Sequence, residues 1–101
     1  MSERIRLQNR RASSNFNFEC NGLRYTATVS FFPDGRLAEI FLSNRRSGSH
    51  SDSAAKDSAV ICSIALQHGV PLDVIRHALL RDPHGVASSP LGTALDLLAE
   101  E

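Results

Sequence analysis

An α+β fold of order βββααα, a three-stranded antiparallel sheet with three helices packed on one face, is what this sequence predicts. Three observations carry the prediction. Apolar and polar residues alternate from Asn15 to Phe31, Asn21-Gly22 and Pro33-Asp34-Gly35 break the alternation as turns, and beyond residue 50 the apolar spacing becomes helical. With 101 residues, 42% hydrophobic and 22% charged, the chain has the size and composition of one soluble globular domain, and a multi-domain enzyme is excluded at that length.

Residues 1–14 are polar and arginine-rich (Arg4, Arg6, Arg10, Arg11) and read as a flexible basic arm preceding a single domain over 15–101. In the first strand Phe16, Phe18 and Cys20 alternate with Asn15, Asn17 and Glu19, and Asn21-Gly22 supplies the two left-handed residues of a type I′ hairpin turn. The returning strand places Leu23, Tyr25, Ala27, Val29 and Phe31 on one side, opposing Phe18 to Tyr25 and Phe16 to Ala27. A two-residue turn at Asp34-Gly35 then opposes Phe31 to Ala38, Val29 to Ile40 and Ala27 to Leu42, giving a third strand over 36–43.

Ser51 or Ser53 is the expected cap of a helix running from Ala54 to Leu66, with Asp52 and Asp57 near the positive end of its dipole. Gly69 suits the position just past its end. Pro71 opens a second helix over 71–81, in which Ile75, Ala78 and Leu79 share a face. Ser89-Pro90 reads as an N-cap followed by proline at the first helical position, and Leu91, Ala94, Leu95 and Leu98 give the last helix its buried stripe.

Eleven basic and eleven acidic side chains cancel overall, yet residues 1–50 hold eight basic and four acidic ones while residues 51–101 hold three and seven. Such asymmetry suits an anionic partner for the first half. Two cysteines, Cys20 and Cys62, sit in apolar-periodic segments as small buried hydrophobes and make no disulfide framework. His50, His68, His77 and His84 lack metal-ligand spacing, no nucleophile elbow is present, and no catalytic residue, metal or cofactor is expected. No apolar run reaches the roughly 20 residues of a spanning helix, and the N-terminus lacks a signal-peptide core, so a cytoplasmic protein with no membrane partner is expected.

One segment gathers anion-binding features. Arg45, Arg46, Ser47, Gly48 and Ser49 put two guanidiniums, two hydroxyls and a glycine just before a helix N-terminus, where free backbone N–H groups favour phosphate. A nucleotide or nucleic-acid phosphate is the candidate ligand.

The run from Phe41 through Asn44-Arg45-Arg46-Ser47-Gly48-Ser49-His50 to Leu66-Gln67-His68-Gly69-Val70-Pro71 resembles the TSCPD domain over about residues 22–98. That domain lies near the C-terminus of adenosylcobalamin-dependent ribonucleotide reductases and also occurs in small free-standing proteins. Its Lys/Arg-x-Gly-Ser-Asp segment is matched with His50 in place of the Asp, and its Leu-x-x-Gly-Val-Pro is matched in full. Ser88-Ser89-Pro90-Leu91-Gly92 stands where the namesake Thr-Ser-Cys-Pro-Asp would be, so no role of that Cys carries over. The resemblance implies a stand-alone accessory or ligand-binding module linked to DNA synthesis, with a ribonucleotide reductase as partner and no catalysis of its own. The alternative is a double-stranded-RNA-binding-like domain, against which the helix start offers Asp52, Lys56 and Asp57 where several lysines are usual.

The expected register also turns Phe32, Leu37 and Phe41 away from the helices, which marks them as interface candidates for a sheet-to-sheet homodimer unless Ile5 and Leu7 of the arm cover them.

Overall fold

The computed structural model describes residues 13–100. Residues 1–12 of the expected arm, Ile5 and Leu7 included, lie outside the described residues. The first strand begins two residues earlier than read: Ser13 and Ser14 already pair with Ser30 and Val29. The elements are β1 (Ser13–Cys20), β2 (Leu23–Phe31), β3 (Leu37–Asn44), α1 (His50–Gln67), α2 (Leu72–Ala78) and α3 (Pro90–Ala99). The strands form one antiparallel sheet in the order β1-β2-β3.

Asn21 and Gly22 both have positive φ (52° and 79°), so the first hairpin turns in two residues and Phe18 faces Tyr25 as expected. The rings of Phe18 and Tyr25 stack at 5.6 Å and seed the core.

The second turn departs from the expected geometry. Gly35 N–H donates to the Phe32 carbonyl and Phe32 N–H to the Arg36 carbonyl, so three residues, Pro33-Asp34-Gly35, form the loop, with Gly35 left-handed (φ 91°). Asp34 stabilises that loop by accepting from Arg36 N–H and pairing with its guanidinium at 2.7 Å. The extra residue slides the pairing by one, so Phe31 faces Leu37 and not Ala38; an irregularity next to Ser30 then restores Ser30–Glu39, Val29–Ile40 and Ala27–Leu42. Two interface candidates are thereby corrected. Leu37 joins the core and Phe32 is buried under the Arg36 guanidinium, 5.0 Å from its ring; only Phe41 stays exposed, at 48%.

Helix α1 starts at His50, four residues before the expected Ala54, and its cap is Ser49 and neither Ser51 nor Ser53. Ser49 Oγ accepts from Asp52 N–H at 3.1 Å. At the other end Val70 N–H reaches Ala65 O and Gly69 N–H reaches Leu66 O, a Schellman closure that needs the left-handed Gly69 (φ 91°). Helix α2 is shorter than the expected 71–81, with Pro71 as its cap and no fully buried residue. Leu79 is already extended, and with Leu72 and Ile75 it packs only partly against the core. Ser89 caps α3 with Pro90 at its start, and Leu91, Ala94 and Leu95 are buried, as read from the sequence.

The core lies between one sheet face and the helices, joining Tyr25, Ala27, Val29, Ile40 and Leu42 to Ala55, Ala59, Cys62, Leu66, Ala94 and Leu95. β3 is an edge strand whose outward backbone groups would be unpaired. α1 lies along that edge and supplies them with partners. Ser63 Oγ accepts from Ile40 N–H at 2.9 Å and donates to Ile40 O at 2.8 Å, Gln67 Nε2 donates to Ala38 O, and Asp52 Oδ1 accepts from Asn44 N–H. The spacing fits: the stretch from Asp52 to Ser63 rises ~16 Å, and strand from Asn44 back to Ile40 spans ~13 Å. Ala59, fully buried between these side chains in the helix, lets the backbones approach.

Two outcomes follow for urea unfolding. Leu37→Ala should lose about 2–5 kcal/mol, as a core truncation does, whereas an interface residue would change self-association and leave stability intact. Ser63→Ala should lose about 1–3 kcal/mol, because it leaves both polar groups of Ile40 buried and unpaired.

Candidate functional site

The candidate site is the corner where β3 leaves the sheet and turns into α1. Asn44 ends the strand opposite Tyr25, and its Oδ1 accepts from Arg46 N–H at 2.8 Å, an Asx turn that swings the chain off the sheet. Arg45 N–H donates to Arg24 O at 2.9 Å, extending the β2–β3 ladder by one rung and setting these two arginines side by side. Gly48 (φ 77°) allows the reversal that lets its N–H donate to Asp52 Oδ2 at 3.0 Å.

Asp52 is the anchor of this corner. Its side chain is 2% exposed, and its carboxylate takes the N–H groups of Gly48 and Asn44 and the Lys56 ammonium at 3.0 Å. Those N–H groups first, then Lys56, hold its pKa down to about 2 against the opposing effect of burial.

Of the five residues singled out by sequence, Arg45, Arg46, Ser47 and Gly48 are exposed and Ser49 is half-buried. The structure brings them into one loop, but it employs the backbone internally. The N–H groups of Arg45, Arg46, Gly48, Ser49 and Asp52 all have partners within the corner, and the Asp52 carboxylate occupies the place that an anion would take at the helix start. The guanidiniums remain turned outward. Among the described residues the side chains of Arg45 and Arg46 have no hydrogen-bond or ion-pair partner.

Sequence reasoning missed Arg24, which lines an open groove of about 500 Å³ with Gly22, Leu23, Asn44, Arg45 and Arg46. The signal was available in the hairpin register, which predicts that the residue after Leu23 meets the end of β3. A second groove of about 500 Å³ on the adjoining surface shares Arg24 and Arg45 and adds Asn17, Glu19 and Thr26. Arg24 also approaches Glu19 at 3.4 Å, an exposed and therefore weak pair.

Elsewhere the chemistry is structural. Both cysteines are free and buried, and burial pushes the Cys62 thiol up to about 11. Among the described residues no group of three or more His, Cys, Asp or Glu could hold a metal ion. Asp96 of α3 accepts from Arg81 through both oxygens at 2.8 Å and from Arg76 at 3.0 Å, which ties α2 and the following loop to α3. Arg81 first, with Arg76 beside it, holds Asp96 at about 2. On the sheet's outer face, Phe41 lines a shallow groove with Val60, Lys56 and Thr28, so the expected sheet-to-sheet cluster is reduced to one aromatic residue. No helix among the described residues is long and apolar enough to cross a membrane.

Comparison with known proteins gives one consistent result. The chain is 36% identical over 72 residues to a vitamin B12-dependent ribonucleotide reductase of Rhodopirellula baltica, covering 71% of this chain and 7% of that protein. Similar proteins of the same name are 33% identical over 73 residues in Bradyrhizobium diazoefficiens and 32% over 71 residues in Agrobacterium fabrum, covering 72% and 70% of this chain and 6% of each relative. The chain thus spans less than a tenth of the length of the relatives it matches. No family model matches it, and no solved structure does.

The two lowered carboxylates predict the acid limb of stability. Asp52 and Asp96 have pKa near about 2 when folded against an ordinary 3.8, so below about pH 4 the unfolded chain binds more protons and stability falls with pH. Their contribution should be complete above pH 4 and lost as pH drops through 2. Urea midpoints at pH 6, 3 and 2 measure it. Asp52→Asn should be less stable at pH 6 and show a flatter acid limb; an unchanged limb would assign the titration to other groups.

Proposed function

We propose that this chain is a TSCPD-like accessory module of ribonucleotide reduction in the cytoplasm, related to the C-terminal domain of the adenosylcobalamin-dependent reductases and non-catalytic by itself. In this reading it associates with a ribonucleotide reductase and contacts a nucleotide phosphate at its Arg45-Arg46 corner. The observation that carries it is the shape of the similarity, which covers about seven-tenths of this chain and only 6–7% of each reductase. The matched length is that of a single small domain, a small fraction of a full reductase. The cysteines support the same reading. Thiyl-radical chemistry needs thiols that substrate can reach, whereas Cys20 and Cys62 are both core residues.

Two measurements test it. Purified chain with adenosylcobalamin, a dithiol and each ribonucleotide should form no deoxyribonucleotide above background, and sustained turnover would refute the non-catalytic reading. Mixed with a vitamin B12-dependent reductase from the same cell, it should co-sediment with the larger protein; separate sedimentation at micromolar concentrations would refute the association.

A further inference from the structure

β1 and β3 are the two edges of the sheet, and the fold treats them differently. The β3 edge is paired by Asp52, Ser63 and Gln67 of α1. The β1 edge is bare among the described residues. Because Cys20 and Leu23 flank a two-residue turn, Cys20, Phe18, Phe16 and Ser14 exchange hydrogen bonds with β2, and the residues between them direct N–H and C=O away from it. The neighbouring ladder agrees, since Arg24 O, opposite Glu19, is spent on Arg45 N–H. Ser13, Asn15, Asn17 and Glu19 thus carry a row of outward donors and acceptors that meet no partner among the described residues.

β1 also lacks the devices that blunt such an edge. It pairs with β2 from end to end without a bulge, and it holds neither lysine nor proline. Its one charge is Glu19, which leans on Arg24 at 3.4 Å. Phe16 stands in the middle of the strand, only half-buried, with its ring 6.0 Å from that of Phe18.

We propose that β1 is the contact surface for a second copy of this chain, the two β1 strands pairing antiparallel about a two-fold axis at Phe16 to make one continuous sheet. An isologous edge contact needs a strand complementary to itself. With Phe16 facing its own copy, Asn15 faces Asn17 and Ser13 faces Glu19, each twice. The outward groups of all four residues are then used, giving about eight main-chain hydrogen bonds against about ten direct ones in an ordinary protein interface. Sliding the strands by two residues in either direction carries Ser13 or Glu19 past the end of the other β1. No like charges meet, because Glu19 faces a serine. The two Phe16 rings come together at the close, non-hydrogen-bonded pair on the axis and bury the part that a single chain leaves in water. This contact differs from the sheet-to-sheet one expected through Phe32, Leu37 and Phe41, two of which are buried within the chain.

Sedimentation of the wild type at micromolar concentrations, with amide exchange followed by NMR, tests the proposal. A monomer–dimer equilibrium is expected, and the Asn15 and Asn17 amides should gain protection as the dimer fills. Asn17→Pro removes an outward N–H that β2 does not use, so it should keep the fold and lose the dimer. Two charge variants read the register. Asn15→Lys with Asn17→Lys sets lysine against lysine twice across the axis and should weaken dimerisation about tenfold, whereas Asn15→Lys with Asn17→Glu sets opposite charges there and should restore it. A monomeric wild type, an Asn17→Pro dimer as tight as the wild type, or equal dimerisation by the two charge variants would each overturn the proposal. Edge amides protected at every concentration would overturn it by assigning the edge to the chain's own N-terminal residues, and protection gained only with a reductase would overturn it in favour of a strand of that protein.

Discussion

The Asp52 carboxylate is the interaction on which the rest of this structure depends. One oxygen ends β3 by accepting from Asn44, the other closes the loop by accepting from Gly48, and Lys56 neutralises the charge one turn along the helix. A charge this deeply buried would be costly without those partners, and each partner lies on a segment that has to be placed for α1 to start where it does. The carboxylate therefore acts as a ruler, setting the phase and position of an 18-residue helix against the sheet.

That phase matters because α1 covers an edge. With Asp52 in place, Ser63 and Gln67 fall opposite Ile40 and Ala38, and the free side of β3 is paired with side chains in place of a fourth strand. The sheet is thus protected from edge-to-edge association along β3 by its own helix. Along the same helix Ala55, Ala59, Cys62 and Leu66 turn to the core, so one element serves the polar edge and the apolar face together.

The corner built this way also explains how a loop with the composition of an anion site can be largely structural in its backbone and still basic at its surface. Turning the N–H groups inward to Asp52 and Asn44 leaves the arginines outward, and the β2–β3 ladder adds Arg24 to them. Similarity to a small segment of vitamin B12-dependent ribonucleotide reductases extends over about seven-tenths of the chain. At the end of α1, the Schellman closure gives the Gly69-Val70-Pro71 stretch a structural task.

The sequence by itself determined what short-range chemistry decides. The I′ turn at Asn21-Gly22 and its register, the cap of α3 at Ser89-Pro90, the end of α1 at Gly69 and the α+β order are each specified by residues within a few positions of one another. Tertiary structure decided the choices that were locally near-equivalent. Ser49, Ser51 and Ser53 can all cap a helix, and Ser49 prevails because only that start lets Asp52 reach Asn44 and Gly48. Pro33-Asp34-Gly35 suits a two- or a three-residue loop; the three-residue form carries Leu37 into the core and Phe32 beneath Arg36, burying two hydrophobes that the shorter turn would expose. Arg24 joins Arg45 and Arg46 across some twenty residues of chain for the same reason: their neighbourhood exists only once the sheet has formed.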